Sequence, residues 1–219
     1  MQQIKLLHSL YKERSLGYKY FDDIKSVPFE NNDICDMPSS LPELEAYIDD
    51  CSLCNLSKSR KHIVFGEGNP EAKLMFVGEA PGEMEDNSGK PFVGRAGQLL
   101  DRIIQNVLML RREDVYIANI VKCRPPANRA PTEEEAEKCK PFLIKQIEII
   151  KPKIIVALGA TSYSYLTGDM SGKISRVRGE MITFGSAKLM PTYHPSYLLR
   201  NPSAKRDVMN DMLKVKAVL

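Results

Sequence analysis

Four cysteines fall as Cys51-x-x-Cys54, then Cys123, then Cys139. Thiolates two residues apart can grip one metal centre, and a fold that brings Cys123 and Cys139 to that pair would complete a four-thiolate set. Structural zinc favours two tight pairs. Only one is present, so the spacing suits a four-iron cluster better than zinc, with four unrelated buried thiols as the plain alternative. Cys35 has no partner at such a spacing.

A second group of residues could handle a polar ligand. The stretch from Val77 to Gly94 holds the acids Glu79, Glu83, Glu85 and Asp86, the aromatic Phe92, and the glycines Gly78, Gly82, Gly89 and Gly94. Asn119 stands in Tyr116-Ile117-Ala118-Asn119-Ile120-Val121, an otherwise apolar run. Asparagine is depleted in strands and costs free energy when buried unpaired, so it needs a partner. A neighbouring loop backbone would serve; so would one edge of a nucleobase, which an amide's donor pair and acceptor match. His194 is one of three histidines. A neutral imidazole there could donate to charge developing on a substrate oxygen, or simply be a satisfied structural residue.

The elements that must position these residues are legible as periodicity. From Lys73 onward the pattern predicts a strand at 74–78, a helix at 96–108, a strand at 115–121, a helix at 132–150 and a strand at 153–159, followed by a helix at 161–166. Such alternation implies a parallel sheet covered by helices on both faces. Gly179 to Phe184 and Lys188 to Thr192 read as a β-ribbon whose second strand runs into Tyr193-His194-Pro195, and Val208, Met212, Val215 and Val218 form the stripe of a closing helix. In open parallel sheets the ligand crevice lies at the carboxyl ends of strands, which is where the acid-rich loop, Asn119 and His194 all fall.

Residues 1–50 read as an N-terminal extension and 51–219 as the domain. Ile4, Leu7, Leu10 and Tyr11 predict a short helix, Gly17 to Pro38 an irregular linker, and Ser40-Leu41-Pro42-Glu43 a capping box that opens a helix to about Asp50. The 219 residues are 43% hydrophobic, enough for a sizeable core. The net charge of +3 divides into −5 over residues 1–50 and +8 over the rest. That surplus suits a polyanion, and scattered solvated lysines explain it equally well. No apolar run approaches the roughly 20 residues of a membrane helix, and the N-terminus lacks a secretory pattern, so a cytoplasmic protein without membrane contact is expected.

The motifs together resemble the family 4 uracil-DNA glycosylases: Gly78-Glu79-Ala80-Pro81-Gly82-Glu83, Gly89-Lys90-Pro91-Phe92-Val93-Gly94, Asn119 ahead of Lys122-Cys123-Arg124-Pro125-Pro126, the four cysteines, and His194-Pro195-Ser196-Tyr197-Leu198-Leu199-Arg200. The resemblance runs from about residue 51 to the C-terminus. It implies a three-layer α/β/α fold with a central, mainly parallel four-stranded sheet, hydrolysis of the N-glycosidic bond of deoxyuridine in single- and double-stranded DNA, and a 4Fe-4S cluster on Cys51, Cys54, Cys123 and Cys139. By matching positions Gly78, Glu79 and Ala80 would line the uracil pocket, Phe92 would stack on the base, Asn119 would read its edge, and His194 would face its O2. Tyr197, Leu198, Leu199 and Arg200 would press into the DNA, with Leu198 as the wedge that offsets part of the unstacking cost.

One departure from the family 1 pattern bears on catalysis. That family's Gly-Gln-Asp-Pro-Tyr motif holds an acid where this chain has Ala80 and a tyrosine where it has Gly82. The candidates to position water are then Glu79 first, and Glu85 and Asp86 after it. A related group bonds covalently to DNA through a histidine on a loop after the Asn strand; Arg124 to Thr132 contains none, which disfavours a crosslinker. A non-catalytic DNA- or partner-binding protein is the remaining alternative. The chain is expected to act as a monomer, with residues 1–50 as a docking segment for a replication or repair protein.

Overall fold

The structure is a computed structural model that describes residues 37–219. The helix expected within residues 1–14, most of the linker and Cys35 lie outside the described residues. Six strands, β1 (Glu67–Gly68), β2 (Leu74–Gly78), β3 (Tyr116–Asn119), β4 (Ile154–Leu158), β5 (Ile182–Phe184) and β6 (Ala187–Thr192), form one sheet in the order β1-β3-β2-β4-β6-β5. The central four are mutually parallel, and β1 and β5 pair antiparallel at the two edges. The expected four-stranded sheet is therefore its parallel centre, widened by two short edge strands. The predicted ribbon is not separate from the sheet, because β6 pairs with β4 from Ile154↔Lys188 to Leu158↔Thr192.

Among the described residues eight α-helices accompany the sheet: α1 (Leu41–Ile48), α2 (Glu83–Ser88), α3 (Arg95–Ile103), α4 (Glu133–Ile150), α5 (Ala160–Thr167), α6 (Ile174–Val177), α7 (Pro195–Arg200) and α8 (Lys205–Val218). Strand side chains alternate between faces, so consecutive apolar residues feed two cores. Met75, Val77, Ile155 and Ala157 pack with Leu44, Ile48, Phe142, Leu143 and Leu166 of α1, α4 and α5. Leu74, Phe76, Ile154 and Val156 pack with Leu99, Leu100, Leu198, Val208 and Met212 of α3, α7 and α8. Both faces are covered, which is why β2 and β4 are apolar throughout.

Helix ends follow their local chemistry. Ser40 caps α1, its Oγ accepting from the Glu43 N–H, and Thr132 and Glu135 cap α4 reciprocally. The helix expected over 96–108 begins as α3 and then widens into a π turn at Ile104–Leu108. The α8 stripe is one residue shorter than expected: Val208, Met212 and Val215 are buried, and Val218, the last residue of the helix, is exposed. Among the described residues no helix is long and apolar enough to cross a membrane.

The chain order sets the site. β2 leads to β3 on one side, and β4 leads to β6 on the other, so the connections diverge between β2 and β4. Such a divergence opens a crevice at the carboxyl ends of the two strands.

Candidate active site

The crevice is a cleft of about 1580 Å³ with its open mouth included, lined by Glu79 to Gly82 after β2, Asn119 at the end of β3, Leu158 to Thr161 after β4, and Tyr193 and His194 after β6. Phe92, Ser196, Tyr197 and Arg200 complete its wall. Four strand ends thus contribute to one concavity.

Its floor is built by close approach. Gly78 pairs with Asn119 across the β2–β3 ladder, and a Cβ on Gly78 would stand 2.4 Å from the Asn119 Oδ1 and 2.6 Å from the Phe92 ring. Only glycine lets the amide and the ring share that space. Phe92 itself has φ +52°, a left-handed conformation costly for an aromatic residue. Its neighbours hold it there. Arg112 donates to the Pro91 and Phe92 carbonyls and pairs with Asp101, while the Glu85 carboxylate accepts from the Val93 and Gly94 N–H groups at 2.9 Å each. On the far side Gly97 admits the Phe92 carbonyl, which any Cβ would strike.

Asn119 is 1% exposed, and its Oδ1 is a buried acceptor with no hydrogen-bond partner among the described residues. Leaving such an atom unpaired costs about 1–3 kcal/mol, which a ligand N–H in the cleft would recover. The structure thus leaves no loop backbone on the Asn119 oxygen, the partner that would have made it a purely structural amide.

His194 caps the N-terminus of α7. The Ser196 N–H donates to its Nδ1 at 3.1 Å, so Nδ1 carries no proton and the neutral ring holds its proton on Nε2. The Ser196 hydroxyl lies 2.8 Å from the same nitrogen. Burial, with the Arg200 charge second, lowers the imidazole to about 4. At neutral pH the ring is an uncharged Nε2–H donor, standing 5.6 Å from the Phe92 ring between centroids.

The three candidate acids separate cleanly. Asp86 is buried, and its Oδ1 accepts from the Lys61 and His62 N–H groups, far from any water-positioning duty. Glu85 lines the cleft, but Gly82, Val93 and Gly94 occupy both of its oxygens, so it is a loop staple. Glu79 lines the cleft and makes no side-chain hydrogen bond among the described residues. The α7 segment also differs from expectation. Leu198, the expected wedge, is 1% exposed and belongs to the core under α7, whereas Tyr197 and Leu199, each 37% exposed, are the protruding side chains. The sequence offers two adjacent leucines, and a helix turns about 100° per residue, so one faces in and the other out.

On the opposite side of β3, Cys51, Cys54, Cys123 and Cys139 line a second pocket, about 330 Å³ with its open mouth included. Among the described residues no three His, Cys, Asp or Glu side chains meet as ligands of one ion do. Burial pushes the Cys123 thiol up to about 11 and the Cys139 thiol to about 12, against the pull of Arg60 and Lys122 respectively. Deprotonating them inside the protein therefore requires a metal or equivalent positive charge. The surroundings fit an anionic four-thiolate centre. Arg60, Lys122 and Lys138 line the cavity, and no carboxylate does among the described residues. Arg60 donates to the Cys51 carbonyl at 2.7 Å and reaches the Cys123 sulfur at 3.6 Å, and the Lys122 N–H donates to the Cys139 sulfur at 3.3 Å.

Sequence reasoning passed over three basic residues. Arg112 holds Phe92, Lys122 lies buried between the two cavities, and Arg178 pairs with buried Asp211 and lies 5.5 Å from the centre of the Tyr193 ring, which stacks on Tyr197. Only Lys122 carried a local signal, a charge directly after an apolar strand.

The α/β/α fold with this cleft belongs to the kind described as the uracil DNA glycosylase superfamily, whose family model matches residues 65–215. Within it, a type-4 uracil-DNA glycosylase of Thermotoga maritima is 51% identical over 172 residues, covering 77% of this chain and 89% of the relative. One of Saccharolobus solfataricus is also 51% identical, over 176 residues covering 77% and 82%. A type-5 uracil-DNA glycosylase of Pyrobaculum aerophilum is more distant, 30% identical over 146 residues covering 60% and 64%. The chain belongs to the type-4 uracil-DNA glycosylases.

Proposed function

We propose that the protein excises uracil from DNA by hydrolysing the bond between uracil N1 and deoxyribose C1′. The observation that carries this is the unpartnered Asn119 Oδ1, buried in the cleft beside Phe92. Uracil offers an N3–H to that oxygen and an O4 to the same amide's NH₂. Cytosine presents a bare N3 and an amino group at those places, so both contacts fail, and discrimination of this polar kind reaches about 10⁴–10⁵. A base inside a duplex cannot reach the cleft, so the nucleotide must be extruded first. Phe92 then stacks on the base, Gly78, Glu79 and Ala80 line its pocket, and Tyr197, Leu199 and Arg200 contact the DNA it leaves.

The C1′–N1 bond breaks with its electron pair leaving on uracil, and the sugar becomes an oxocarbenium-like cation. His194 donates its Nε2–H toward the uracil O2, where the charge grows, and it does so as a neutral ring without surrendering the proton. Glu79 stabilises the cation and orients the water whose oxygen adds to C1′, and the water's proton passes to bulk solvent. With Ala80 in place of an acid, bond breaking runs ahead of water attack. Cys51, Cys54, Cys123 and Cys139 would hold a 4Fe-4S cluster, which would tie the start of the domain to the segment after β3; the cations lining the cavity support an anionic four-thiolate centre there.

The test is an oligonucleotide with one deoxyuridine, treated with the protein and then with alkali to cut abasic sites. Cleavage at the uracil that Asn119→Ala reduces by about 10²-fold or more is expected. Absence of abasic product from the unaltered protein would overturn the proposal.

A further inference from the structure

Lys122 touches both regions of the molecule. It is 1% exposed, and each of its polar groups is fixed. Its N–H donates to the Cys139 sulfur at 3.3 Å and its carbonyl accepts from Val64 at 2.8 Å. Its ammonium turns back along the chain to donate to the Asn119 carbonyl at 3.1 Å and to the Gln146 Oε1 at 2.6 Å. Gln146 is anchored in turn, donating to the Phe65 carbonyl and the Tyr116 hydroxyl.

We propose that Lys122 is a positioning residue that couples the cysteine centre to uracil recognition: fixed on the sulfur side by its backbone, it holds the carboxyl end of β3, and with it the Asn119 amide, in the place that reads the base. The inference rests on the reading of Asn119 given above. An asparagine side chain has two torsions, so the backbone largely dictates where its amide stands. Past Asn119 that backbone is no longer a regular strand. It is held by Ile120 N–H to the Gly78 carbonyl, by Val121 N–H to the Glu79 carbonyl, and by the Lys122 ammonium on Asn119 itself. A neutral side chain could fill the volume. The lysine does more: its ammonium joins the Asn119 carbonyl to Gln146 while its own N–H is held on the Cys139 sulfur. One residue therefore connects the sulfur side of the segment to the backbone that carries the Asn119 amide.

The experiment compares Lys122→Met, Asn119→Ala and the double variant, each purified with its metal centre and checked by visible absorbance and iron content. Free uracil is the probe of base recognition, as a competitive inhibitor, and abasic-site DNA is the probe of DNA affinity. Lys122→Met is expected to weaken free-uracil binding and single-turnover excision by about 10-fold, with abasic-DNA affinity held within about 2-fold; in the Asn119→Ala background it should change uracil binding by less than about 2-fold. Additive losses, or unaltered uracil binding in Lys122→Met, would overturn the coupling. Unaltered uracil binding in Asn119→Ala would instead remove the base-reading assignment, and the coupling with it. If Lys122→Met yields no folded protein, Gln146→Leu takes its place in the same cycle, and additivity there is equally decisive.

Discussion

The two cavities are built against opposite sides of one strand end, and they treat polar atoms in opposite ways. Around the cysteines the surroundings answer a charge not yet counted, with three cations lining a void that no carboxylate enters among the described residues. In the cleft the polar groups are held ready and left short of partners among the described residues: an amide oxygen with none, a histidine with one nitrogen occupied and the other free, a glutamate with no side-chain hydrogen bond. The difference separates a structural centre from a recognition site. A permanent group is met by compensating charge, whereas a passing substrate must supply what the site lacks.

The largest effect should come from breaking the permanent side. Cys139→Ser removes a proposed ligand, a thiol that is buried in the core and receives the Lys122 N–H. Loss of the visible chromophore and a fall in Tm exceeding about 10 °C are expected, because metal binding and folding are linked in such sites. A colourless, zinc-loaded wild type of equal stability would break the comparison at its root.

Next come the cleft residues, and here the order of effects sharpens the mechanism. His194→Ala should slow single-turnover excision by about 10²–10³-fold, the usual worth of one preorganised oxyanion donor. Glu79→Gln keeps the shape, removes the charge and should lose less, on the order of 10-fold, since water needs little activation against a cationic sugar. The reverse order, measured at equal substrate affinity, would move the main catalytic burden to the carboxylate.

The leucines of α7 test which surface belongs to DNA. Leu198→Ala opens a hole in the core and should cost about 2–5 kcal/mol of stability. Leu199→Ala should leave stability within about 0.5 kcal/mol and slow excision from duplex more than from single strands, where no opposing stack must be pried apart. Urea denaturation and paired kinetics would show it, and equal losses on both substrates would remove Leu199 from the wedge.

How much of this was legible in advance follows from the range of the forces involved. β2 and β4 were readable because burial on both faces leaves an unbroken apolar run. β1, two residues at an edge, leaves no such trace. α2 was hidden in an acidic loop; its turn depends on Glu85 reaching back to Gly82 and on the left-handed Gly89, not on an apolar period. In the site, Asn119 and His194 stood out as polar residues at strand ends. The partners that define them did not: Arg112 lies 20 residues from Phe92, and Gln146 lies 24 from Lys122. Periodicity reports local burial, and it carries no information on which distant side chain will satisfy a buried atom. The same limit explains Leu198, since only the packed structure says which of two leucines faces the core.

The smallest expected effect concerns protons. In the folded protein burial holds His194 near 4, below the ordinary value of 6.5. Between those values the unfolded chain binds a proton there that the native protein refuses, so this residue's contribution to stability is complete above pH 6.5 and is lost as pH falls toward 4. Activity behaves differently over the same interval, because the native ring stays neutral and keeps its Nε2–H. Lowering the pH from 7 to 5.5 should therefore change the single-turnover rate by less than about 2-fold through this group, while urea stability declines and His194→Gln flattens that decline. An acid limb centred near 6.5 in wild-type excision would mean that the histidine titrates freely, and the cleft would then lack the preorganised neutral donor that distinguishes it from the charge-compensated cysteine cavity.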